Sequence, residues 1–562
     1  MIASTLLPTI AELPFAAAAR YGDKAALRYK RGGSWRDVSC TELAARVRRR
    51  AGGLAAFGVA PGDRVCVLAE TRPEWTYAGL AVLAAGAVLV PIYASSSVEE
   101  CAWIVGDSGA TLVICDDEAQ AAKISGVPTL LLDAMPEEDR DAEVDARRSA
   151  VEPDDVAHII YTSGTTGPPK GCVLTQRNWL TLCHITAELE YLTADDVVYL
   201  FLPLAHVFAQ LVQFGALYAG ATLAYYGGDV KAVVPELAEV RPTFLPSVPR
   251  LFEKLYSVFA STVDSGALAA AVRGGLAARQ GRPASEADAT AYAALEPLFA
   301  KVRAVLGGRL RMALSGAAPI PVGVLEFFLA AGIPVLEGYG MTETAAVGTV
   351  STPGRYKLGT VGVAAPGITV KLAADGEILM AGPHVFAGYW NNPTATAESI
   401  VDGWVHTGDV GAVDDDGFVT ITGRKKDIII TSGGKNIAPA NLENDLRQSR
   451  WISQAIVVGD RRPYVTALLT LDPDEIVPWA RGRGLPADVA ALAARPEVHE
   501  LIQEAVDTVN ERYARVEQIK RFAVLPRDLT QEDGELTPTL KVKRPVVHAN
   551  HAGAVAALYE NG

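Results

Sequence analysis

The first 150 residues alternate between two hydrophobic periods, one typical of helices and one typical of buried strands. Residues 41–58 repeat apolar side chains at helical spacing, with arginines on the opposite face, which predicts an amphipathic helix. A Pro-Gly-Asp turn at 61–63 separates this helix from the apolar run 64–68, and a second apolar run covers 111–115. This β-α-β order predicts a mostly parallel sheet with helices on its faces.

The strongest candidate for a membrane span, residues 77–93, is short for that role and contains Gly86 and Pro91. We therefore predict a buried helix that ends near Gly86 and a buried strand over 87–92, and no integral membrane segment. Near the N-terminus, prolines and a glutamate interrupt the apolar residues and no basic segment precedes them, so no secretory signal is expected. Residues 133–155 are acid-rich without periodicity, which predicts a solvated connector.

Strand and helix patterns continue after residue 155, with apolar runs at 156–161, 197–201 and 221–226. Residues 256–305 are alanine-rich and mostly helical in pattern, with a break near Gly281. This segment therefore predicts an inserted pair of helices.

Between residues 353 and 423 the pattern changes to short strands with Asp-Gly turns at 375, 402 and 416, which are hairpin signals. The acidic run 414–416 lacks the other ligands of an EF-hand loop, so we interpret it as one of these turns. The whole pattern predicts an α/β protein. Its large N-terminal domain, residues 1–423, combines layered α/β subdomains with a small β-barrel-like lobe. A hinge at 424–427 begins a small, mobile α+β C-terminal domain, residues 424–562.

Composition narrows the classes of function. The 562 residues carry 51 Lys+Arg and 65 Asp+Glu, a formal charge of −14, which is unfavourable for a nucleic-acid-binding protein. Hydrophobic residues make up 49% and charged residues 21%, so global disorder is excluded. The six cysteines form no CxxC pair and lie mostly in apolar surroundings, which predicts buried thiols in a reducing compartment. We expect a cytoplasmic protein, either free or peripheral to a membrane.

The most informative segment, residues 161–171, follows a predicted buried strand and places Ser and Thr hydroxyls among glycines before Lys170. Glycines let backbone amides approach a ligand closely, and successive N–H groups, hydroxyls and a lysine favour binding of a phosphate. The segment is not a Walker A loop, because Lys170 precedes Gly171 and no Ser or Thr follows. No His/Cys cluster predicts a zinc site, and no GxSxG motif predicts a serine hydrolase.

This loop resembles the phosphate loop of the adenylate-forming family, which contains acyl-CoA synthetases, peptide-synthetase adenylation domains and luciferases. Four further stretches resemble motifs of that family, in the family's order, and the resemblance covers roughly residues 15 to 547. They are the adenine and magnesium motif at 338–344, the ribose motif at 403–409, the hinge motif at 423–427 continuing to 433–436, and the catalytic-lysine motif at 536–544. The inserted helices and residues 428–439 are similar to the long-chain branch.

The resemblance implies a nucleotide site built from residues far apart in the chain. Tyr339 would stack on adenine, and Thr342 would offer its hydroxyl to a phosphate. Glu343 would hold a Mg²⁺ that shares phosphate oxygens. Asp409 would accept the ribose hydroxyls, and Arg424 would pair with ribose or α-phosphate oxygens. The residues implied to bind ATP or AMP are Thr162, Ser163, Gly164, Thr165, Thr166, Gly316, Ala317, Glu337, Gly338, Tyr339, Gly340, Met341, Thr342, Asp409, Arg424 and Lys541.

The resemblance also implies a catalytic lysine near the C-terminus, Lys541. Leu540 stands before it where the family more often has glycine, a variant that long-chain members share, and Lys543 is the alternative. The implied catalytic residues are Lys170, Thr342, Glu343 and Lys541, with Glu343 as the metal ligand.

The acyl pocket and the hinge are assigned from the same resemblance. His206 and Gly338 would line the acyl pocket, although a single histidine is equally compatible with a core position. Lys426 would be the hinge residue. The CoA channel and hinge together comprise Lys426, Gly433, Gly434 and Lys435.

The function implied is an acid–thiol ligase that uses ATP, Mg²⁺ and CoA as co-substrate. A carboxylate attacks the α-phosphorus of ATP, giving an acyl-adenylate and pyrophosphate, and a thiol then displaces AMP. The expected acid is bulky and hydrophobic, such as a long-chain fatty acid. Two alternatives stay open: an adenylating enzyme that passes its acyl group to a carrier protein or a separate partner, and a non-catalytic nucleotide-binding relative. No nucleic-acid partner is expected.

Overall fold

In the computed structural model, which describes residues 7–162, 168–537 and 541–560, strands and helices alternate through most of the chain. The strands are β1 (Ala25–Arg31), β2 (Ser34–Ser39), β3 (Arg64–Leu68), β4 (Val88–Ile92), β5 (Leu112–Cys115), β6 (Thr129–Leu131), β7 (Val156–Thr162), β8 (Lys170–Thr175), β9 (Val197–Leu200), β10 (Thr222–Tyr225), β11 (Phe244–Ser247), β12 (Met312–Ser315), β13 (Val335–Tyr339), β14 (Thr349–Val350), β15 (Val363–Ala364), β16 (Thr369–Leu372), β17 (Glu377–Ala381), β18 (Gly388–Tyr389), β19 (Ile400–Val401), β20 (Trp404–Val413), β21 (Val419–Arg424), β22 (Ile429–Ile430), β23 (Asn436–Ile437), β24 (Ile452–Val458), β25 (Val465–Leu471) and β26 (Ile519–Val524).

Helices separate these strands. They are α1 (Leu13–Tyr21), α2 (Cys40–Phe57), α3 (Pro73–Ala84), α4 (Val98–Ser108), α5 (Glu118–Ala121), α6 (Asp141–Ser149), α7 (Gln176–Glu188), α8 (Val207–Ala219), α9 (Val233–Val240), α10 (Pro249–Ala260), α11 (Ser265–Arg279), α12 (Glu286–Val305), α13 (Val322–Ala330), α14 (Pro393–Ser399), α15 (Pro439–Leu446), α16 (Pro473–Arg481), α17 (Val489–Ala493), α18 (Pro496–Asn510), α19 (Arg544–Asn550) and α20 (Ala552–Ala557). Short 3-10 turns cover Ile10–Glu12, Leu132–Ala134, Val230–Ala232 and Thr342–Thr344.

Two large sheets make up most of the N-terminal part of the described chain. One has the strand order β15-β14-β13-β12-β11-β9-β10-β1-β2, and the other has β18-β8-β7-β4-β3-β5-β6. Their central pairs, such as β3 with β4 and β12 with β13, are parallel, as the β-α-β order predicts. One continuous apolar core, which includes the fully buried Trp75, Trp179 and Phe214, contacts both sheets. The predicted α/β class is confirmed.

Three smaller sheets follow in the described chain, one of them the two-stranded pair of β22 and β23. Strands β16, β17, β19, β20 and β21 form an antiparallel sheet, and its turns lie at the Asp-Gly pairs predicted to close hairpins. Strands β24, β25 and β26 form a three-stranded sheet with a separate core that includes Leu442 and Ile502. The small C-terminal α+β unit is therefore confirmed. A boundary between 423 and 424 remains a prediction, as does mobility.

Local expectations for the first 150 residues hold with one exception. Helix α2 begins after Ser39, whose side chain accepts a hydrogen bond from the Glu42 N–H, and ends at Gly58 with φ +104°. The apolar stretch 77–93 folds into the end of helix α3 and strand β4, as predicted. No helix within the described residues is both long and apolar enough to cross a membrane.

The exception is the solvated connector predicted over 133–155, which is wrong in part because it contains α6. Val144 is fully buried, and Asp145 pairs with Arg48 of α2 at 2.7 Å. Glu143 and Arg147 form an i,i+4 ion pair at 2.8 Å along the helix. A short helix with one buried apolar residue has too little periodicity to be recognised from its sequence.

The helical pair predicted within 256–305 is confirmed. Helices α11 and α12 pack on each other, and the predicted break lies between Arg279 and Glu286. Gly274 and Gly275 permit this close packing, since a Cβ on Gly274 would lie 2.3 Å from the Asp288 carbonyl oxygen.

Candidate active site

Strand pairing brings the predicted site residues together from distant parts of the chain. Ser315 of β12 pairs with Glu337 of β13, and Asp409 of β20 pairs with Arg424 of β21. At the other large sheet, Thr162 of β7 lies opposite Lys170 of β8. These pairings fix the backbone on which the candidate nucleotide-binding side chains stand.

Asp409 is the centre of the first cluster. The Tyr339 hydroxyl donates to Asp409 Oδ2 at 2.6 Å, and Arg424 Nε donates to Asp409 Oδ1 at 2.8 Å. Asp409 is 4% exposed. Burial and the Asp409 carboxylate raise the pKa of Tyr339, so its phenol stays protonated and donates. The sequence did not predict the contact between the expected adenine-stacking tyrosine and the expected ribose-binding aspartate.

Glu343 is the centre of the second cluster and lies in the 3-10 turn Thr342–Thr344. The Tyr389 hydroxyl donates to Glu343 Oε1 at 2.6 Å, and the Phe386 N–H donates to the Glu343 carbonyl at 3.0 Å. The ammonium of Lys170 lies 4.7 Å from the centre of the Tyr389 ring. Thr342, whose hydroxyl is expected to meet a phosphate, and Glu343, whose carboxylate is expected to hold a phosphate-bound cation, are both buried.

The backbone next to these clusters is strained. Ala345 and Ala346 have φ values of +48° and +75°, and Ala317 has +69°. A Cβ on Gly340 would lie 2.3 Å from the Ala346 carbonyl oxygen, so the segment 340–346 requires glycine there. Non-glycine residues in this conformation persist only where the surrounding structure imposes it, and they concentrate at functional sites.

The other predicted base-binding residues surround the end of β13. Gly316 is buried, and a Cβ on it would lie 3.7 Å from the Gly338 carbonyl oxygen. Ala317 is exposed, whereas Gly338 and Met341 are half-buried. Burial raises the pKa of Glu337 to about 8, so this side chain is a neutral acid at pH 7 that can both donate and accept.

Lys541, from the C-terminal part of the chain, interacts electrostatically with residues of both clusters, Asp409 and Arg424 in the first and Glu343 in the second. Burial among protein atoms and the Arg424 cation lower its pKa, while the carboxylates of Asp409 and Glu343 oppose this shift. The alternative, Lys543, lies 4.0 Å from Glu100 of α4. The structure therefore places Lys541, and not Lys543, beside the predicted nucleotide site.

His206 lies next to the same lysine and precedes α8. Burial lowers the pKa of His206 to about 3, and the Lys541 ammonium adds to this shift. His206 Nδ1 accepts the Phe208 N–H at 3.2 Å, so the neutral ring carries its proton on Nε2. A Cβ on Gly316 would lie 3.6 Å from Phe208, which joins this histidine to the base-binding region.

Only the ends of the predicted phosphate loop are described. Thr162 and Lys170 lie within the structure, whereas Ser163, Gly164, Thr165 and Thr166 lie outside the described residues. Trp103 of α4 donates its indole N–H to the Pro169 carbonyl at 2.9 Å, which fixes the segment just before Lys170.

The predicted hinge and CoA-channel residues lie in two different places in the structure. Lys426 is exposed in the turn 425–427, where Lys425, Asp427 and Ile428 donate the backbone hydrogen bonds. Gly433 and Gly434 lie in the turn between β22 and β23, and Gly434 adopts φ +77°. Lys435 pairs with Glu517 at 3.8 Å within the C-terminal part. The described contacts thus place these three with the C-terminal core and not with Asp409 or Glu343.

Sequence reasoning missed Tyr389 and a buried carboxylate, Glu377. Glu377 accepts from the Gly408 N–H at 2.9 Å, from Lys425 Nζ at 2.9 Å and from His406 Nδ1 at 3.0 Å. Burial alone would raise the pKa of Glu377, but these donors lower it. Its position directly after the Asp375-Gly376 turn, on a strand with buried neighbours, was the available signal.

The donor set fits a magnesium ion shared with a substrate. No group of three or more His, Cys, Asp or Glu side chains able to hold a metal occurs among the described residues. Mg²⁺ often binds through one or two carboxylates together with substrate phosphates, so a single carboxylate beside a phosphate loop is sufficient. Glu343, with the Thr342 hydroxyl beside it, has this chemistry.

Comparisons with known proteins agree with this geometry. Residues 15–390 match the family model described as AMP-binding enzyme, and residues 426–562 match the model described as AMP-binding enzyme C-terminal domain. The chain is 42% identical over 561 residues to long-chain-fatty-acid–CoA ligase FadD15 of Mycobacterium bovis, covering 94% of this chain and 93% of the relative.

Two solved structures are similar over nearly the whole chain. O-succinylbenzoate coenzyme A synthetase (MenE) of Bacillus subtilis, in complex with AMP, has a TM-score of 0.70 at 25% identity and covers 95% of this chain and 97% of its own. ATP-bound MatB of Rhodopseudomonas palustris has a TM-score of 0.68 at 26% identity, with 96% and 99% covered. The resemblance that the five motifs indicated is confirmed, and the chain belongs to the AMP-binding enzyme family.

Proposed function

We propose that this protein is an ATP-dependent acyl-CoA synthetase that activates a long-chain fatty acid or a similar bulky hydrophobic acid. The observation that carries the proposal is the position of Lys541 beside Asp409 and Glu343, because it joins a cation from the C-terminal part to two carboxylate clusters of the N-terminal part. The 42% identity to a long-chain-fatty-acid–CoA ligase over nearly the whole chain supports this acid class.

ATP binding follows from the clusters. Asp409 accepts the ribose hydroxyls in place of one of its present protein donors, and Arg424 pairs with ribose or α-phosphate oxygens. The protonated carboxyl group of Glu337 offers one hydrogen-bond donor and one acceptor. These complement a ring nitrogen and the exocyclic amine of adenine, respectively. Thr162, Lys170 and the loop between them bind the outer phosphates. Mg²⁺ bound at Glu343 neutralises phosphate charge when present.

In the first half-reaction two anions meet, so the protein's contribution is electrostatic and positional. An oxygen of the acid's carboxylate bonds to the α-phosphorus, and the bond from that phosphorus to pyrophosphate breaks. Lys541 stabilises the charge that develops on the α-phosphate. His206 donates its Nε2 proton as a hydrogen bond to an oxygen of the carboxylate.

In the second half-reaction Lys541 has to leave and a thiol has to enter. We assign this exchange to rotation of residues 424–562 about Lys426, with the turn at Gly433, Gly434 and Lys435 facing the pantetheine arm of CoA. The thiol loses its proton, its sulfur bonds to the acyl carbon, and AMP leaves with the electron pair of the broken acyl–oxygen bond. The six cysteines are free and buried, which favours a reducing, cytoplasmic location. The proposed location is at or near a membrane that supplies the acid.

The test is an acid panel scored for both half-reactions. ATP–pyrophosphate exchange is measured with acetate, octanoate, palmitate and a branched long-chain acid, and acyl-CoA and AMP are then quantified after CoA is added. We expect the fastest exchange with palmitate or the branched acid, and equal amounts of AMP and acyl-CoA. Absence of exchange with every acid would refute the proposal. Exchange without a CoA thioester would instead indicate a carrier protein as acceptor.

A further inference from the structure

Tyr389 contacts two charged groups of the site at once. Its hydroxyl donates to Glu343 Oε1 at 2.6 Å, and its ring lies 4.7 Å from the Lys170 ammonium. Glu343 and Lys170 are 173 positions apart in the sequence, so a single side chain between them relates the candidate metal ligand to the phosphate-loop lysine. Neither the five motifs nor the assigned roles include this tyrosine.

The backbone of Tyr389 is held from both sides. Strand β18 pairs with β8 so that Tyr389 lies opposite Cys172, and the Trp390 N–H donates to the Gly171 carbonyl at 2.7 Å. The Tyr389 N–H donates to Thr396 Oγ1 at 2.8 Å. Gly388 has φ +133°, and a Cβ there would lie 2.7 Å from the Thr396 side chain. The ring direction is therefore set by the same strand that carries Lys170.

Glu343 is held at its backbone and at its side chain by one short segment. Phe386 donates to the Glu343 carbonyl, and the Phe386 and Tyr389 rings meet edge to face at 4.9 Å. The Tyr389 hydroxyl on Oε1 and the Cys172 thiol, a second side-chain hydrogen-bond partner of Glu343, together fix the plane of this carboxylate.

We propose that Tyr389 is a positioning residue that orients the Glu343 carboxylate that would hold the magnesium ion, and that keeps Lys170 over its ring beside the phosphate loop. The proposal rests on the proposed function for the use of ATP, but not for the identity of the acid. Removing a residue that hydrogen-bonds a metal ligand typically changes metal affinity by about ten- to a hundredfold. Removing the contact between an aromatic ring and an ammonium group has a smaller effect on binding.

The test separates the hydroxyl from the ring. Tyr389→Phe removes only the hydroxyl, and Tyr389→Leu removes both. The matched control is Tyr199→Phe, because the Tyr199 hydroxyl donates to Glu236 Oε2 at 2.8 Å in a fully buried position that neither cluster includes. Mn²⁺ binding is measured by electron paramagnetic resonance with the non-hydrolysable analogue α,β-methylene-ATP, and binding of the analogue alone is measured by calorimetry.

We expect Tyr389→Phe to weaken Mn²⁺ binding by about tenfold or more, with analogue binding in the absence of metal changed less than about twofold. Tyr389→Leu should in addition weaken metal-free analogue binding by about two- to fivefold through Lys170. Tyr199→Phe should change neither quantity. A folded Tyr389→Phe protein with wild-type Mn²⁺ affinity would overturn the proposal.

A double-mutant cycle gives a second, independent result. In a Glu343→Gln protein, adding Tyr389→Phe should have no further effect on Mn²⁺ binding, because the carboxylate that it orients is absent. An additive loss of Mn²⁺ affinity would mean that Tyr389 acts elsewhere and would also overturn the proposal. These binding measurements need no acid substrate, so failure of the acid panel and failure of the Tyr389 proposal are distinguishable.

Discussion

The N-terminal and C-terminal halves of the candidate site are held in place by contacts of different strength. In the N-terminal half, Asp409 and Glu343 are buried and each accepts a short hydrogen bond from a tyrosine. The C-terminal part carries Lys541 and meets α10 through two ion pairs: Arg250 with the largely buried Asp472 at 3.0 Å, and Lys254 with Asp474 at 3.1 Å, which is exposed at both ends. Lys254 and Asp474 keep 61% and 76% of their side-chain surface exposed, so such pairs contribute little to stability.

This difference matches the chemistry proposed for the two half-reactions. In the proposed mechanism, the groups expected to bind ATP keep one geometry throughout, and buried charge-assisted hydrogen bonds would provide it. The proposed catalytic lysine would have to be withdrawn for the second half-reaction, and weak surface pairs would allow that. Between the two halves, Arg424, Lys425 and Lys426 are all exposed, and Arg424 pairs with Asp409 and Lys425 with Glu377.

Removing Lys541 should have the largest effect. Lys541→Ala should lower the rate of ATP–pyrophosphate exchange by about 10²–10³, since one preorganised electrostatic contact is lost. Thioester formation from a supplied acyl-adenylate should be nearly unchanged. Lys543→Ala is the matched control, because Lys543 faces Glu100 outside both clusters. Equal losses for the two variants would contradict the placement of Lys541.

Asp409→Ala tests the N-terminal half of the candidate site. Its loss leaves the buried Tyr339 hydroxyl without this acceptor and removes the ribose contact, so ATP binding should weaken by about 1–3 kcal/mol. Binding of the acid should change much less. Calorimetry with each ligand measures both, and Asp375→Ala, which removes an exposed partner of Lys425, is the control. Equal weakening for ATP and acid would indicate general misfolding.

The pH dependence distinguishes the half-reactions. The charged form of Lys541 assists adenylation, and its pKa is lowered, so exchange should fall as pH rises through a pKa below that of free lysine, about 10.4. Lys541→Arg keeps its charge at these pH values and should remove this alkaline decline, even where its overall rate is lower. Thioester formation should show no such decline. A wild-type exchange rate that stays constant up to the free-lysine pKa would contradict the assignment.

Breaking an exposed ion pair between α10 and the C-terminal part should have the smallest effect on the two half-reactions. Lys254→Ala should change the ratio of the two half-reaction rates by less than about fivefold, because exposed pairs such as Lys254–Asp474 are worth about 0.2–1 kcal/mol. Added salt should shift the wild-type ratio in the same direction. Arg28→Ala, which breaks the exposed Arg28–Asp37 pair far from α10, is the control and should leave the ratio unchanged. A large effect of Lys254→Ala would mean that the C-terminal part is firmly docked.

Local patterns were sufficient for much of the fold. The helix at 41–58, the helical pair within 256–305 and the Asp-Gly hairpins follow from periodicity, capping and turn chemistry, which act within a few residues. Helix α6 was missed because its stability comes from ion pairs and a single buried valine rather than from a hydrophobic stripe.

The candidate site was predictable only as a set of residues. Motifs identified Tyr339, Glu343 and Asp409, but not the hydrogen bonds that join Tyr339 to Asp409 across 70 positions or Tyr389 to Glu343 across 46. Those contacts depend on which strands pair in three dimensions. Strand pairing also brings Glu377 to Lys425 at the start of the hinge, and no local signal contains that information.

The most direct test of alternation between two positions of the C-terminal part is a proline at the hinge. Proline fixes φ near −65°, so Lys426→Pro should hold one position, while Lys426→Ala serves as the control that keeps backbone freedom. Both half-reactions are measured on the same preparation. We expect exchange to survive within about tenfold and acyl-CoA formation to fall far more, because the contacts to ATP are kept and the rotation is lost. A proportional loss of both, or no loss of either, would contradict the alternation.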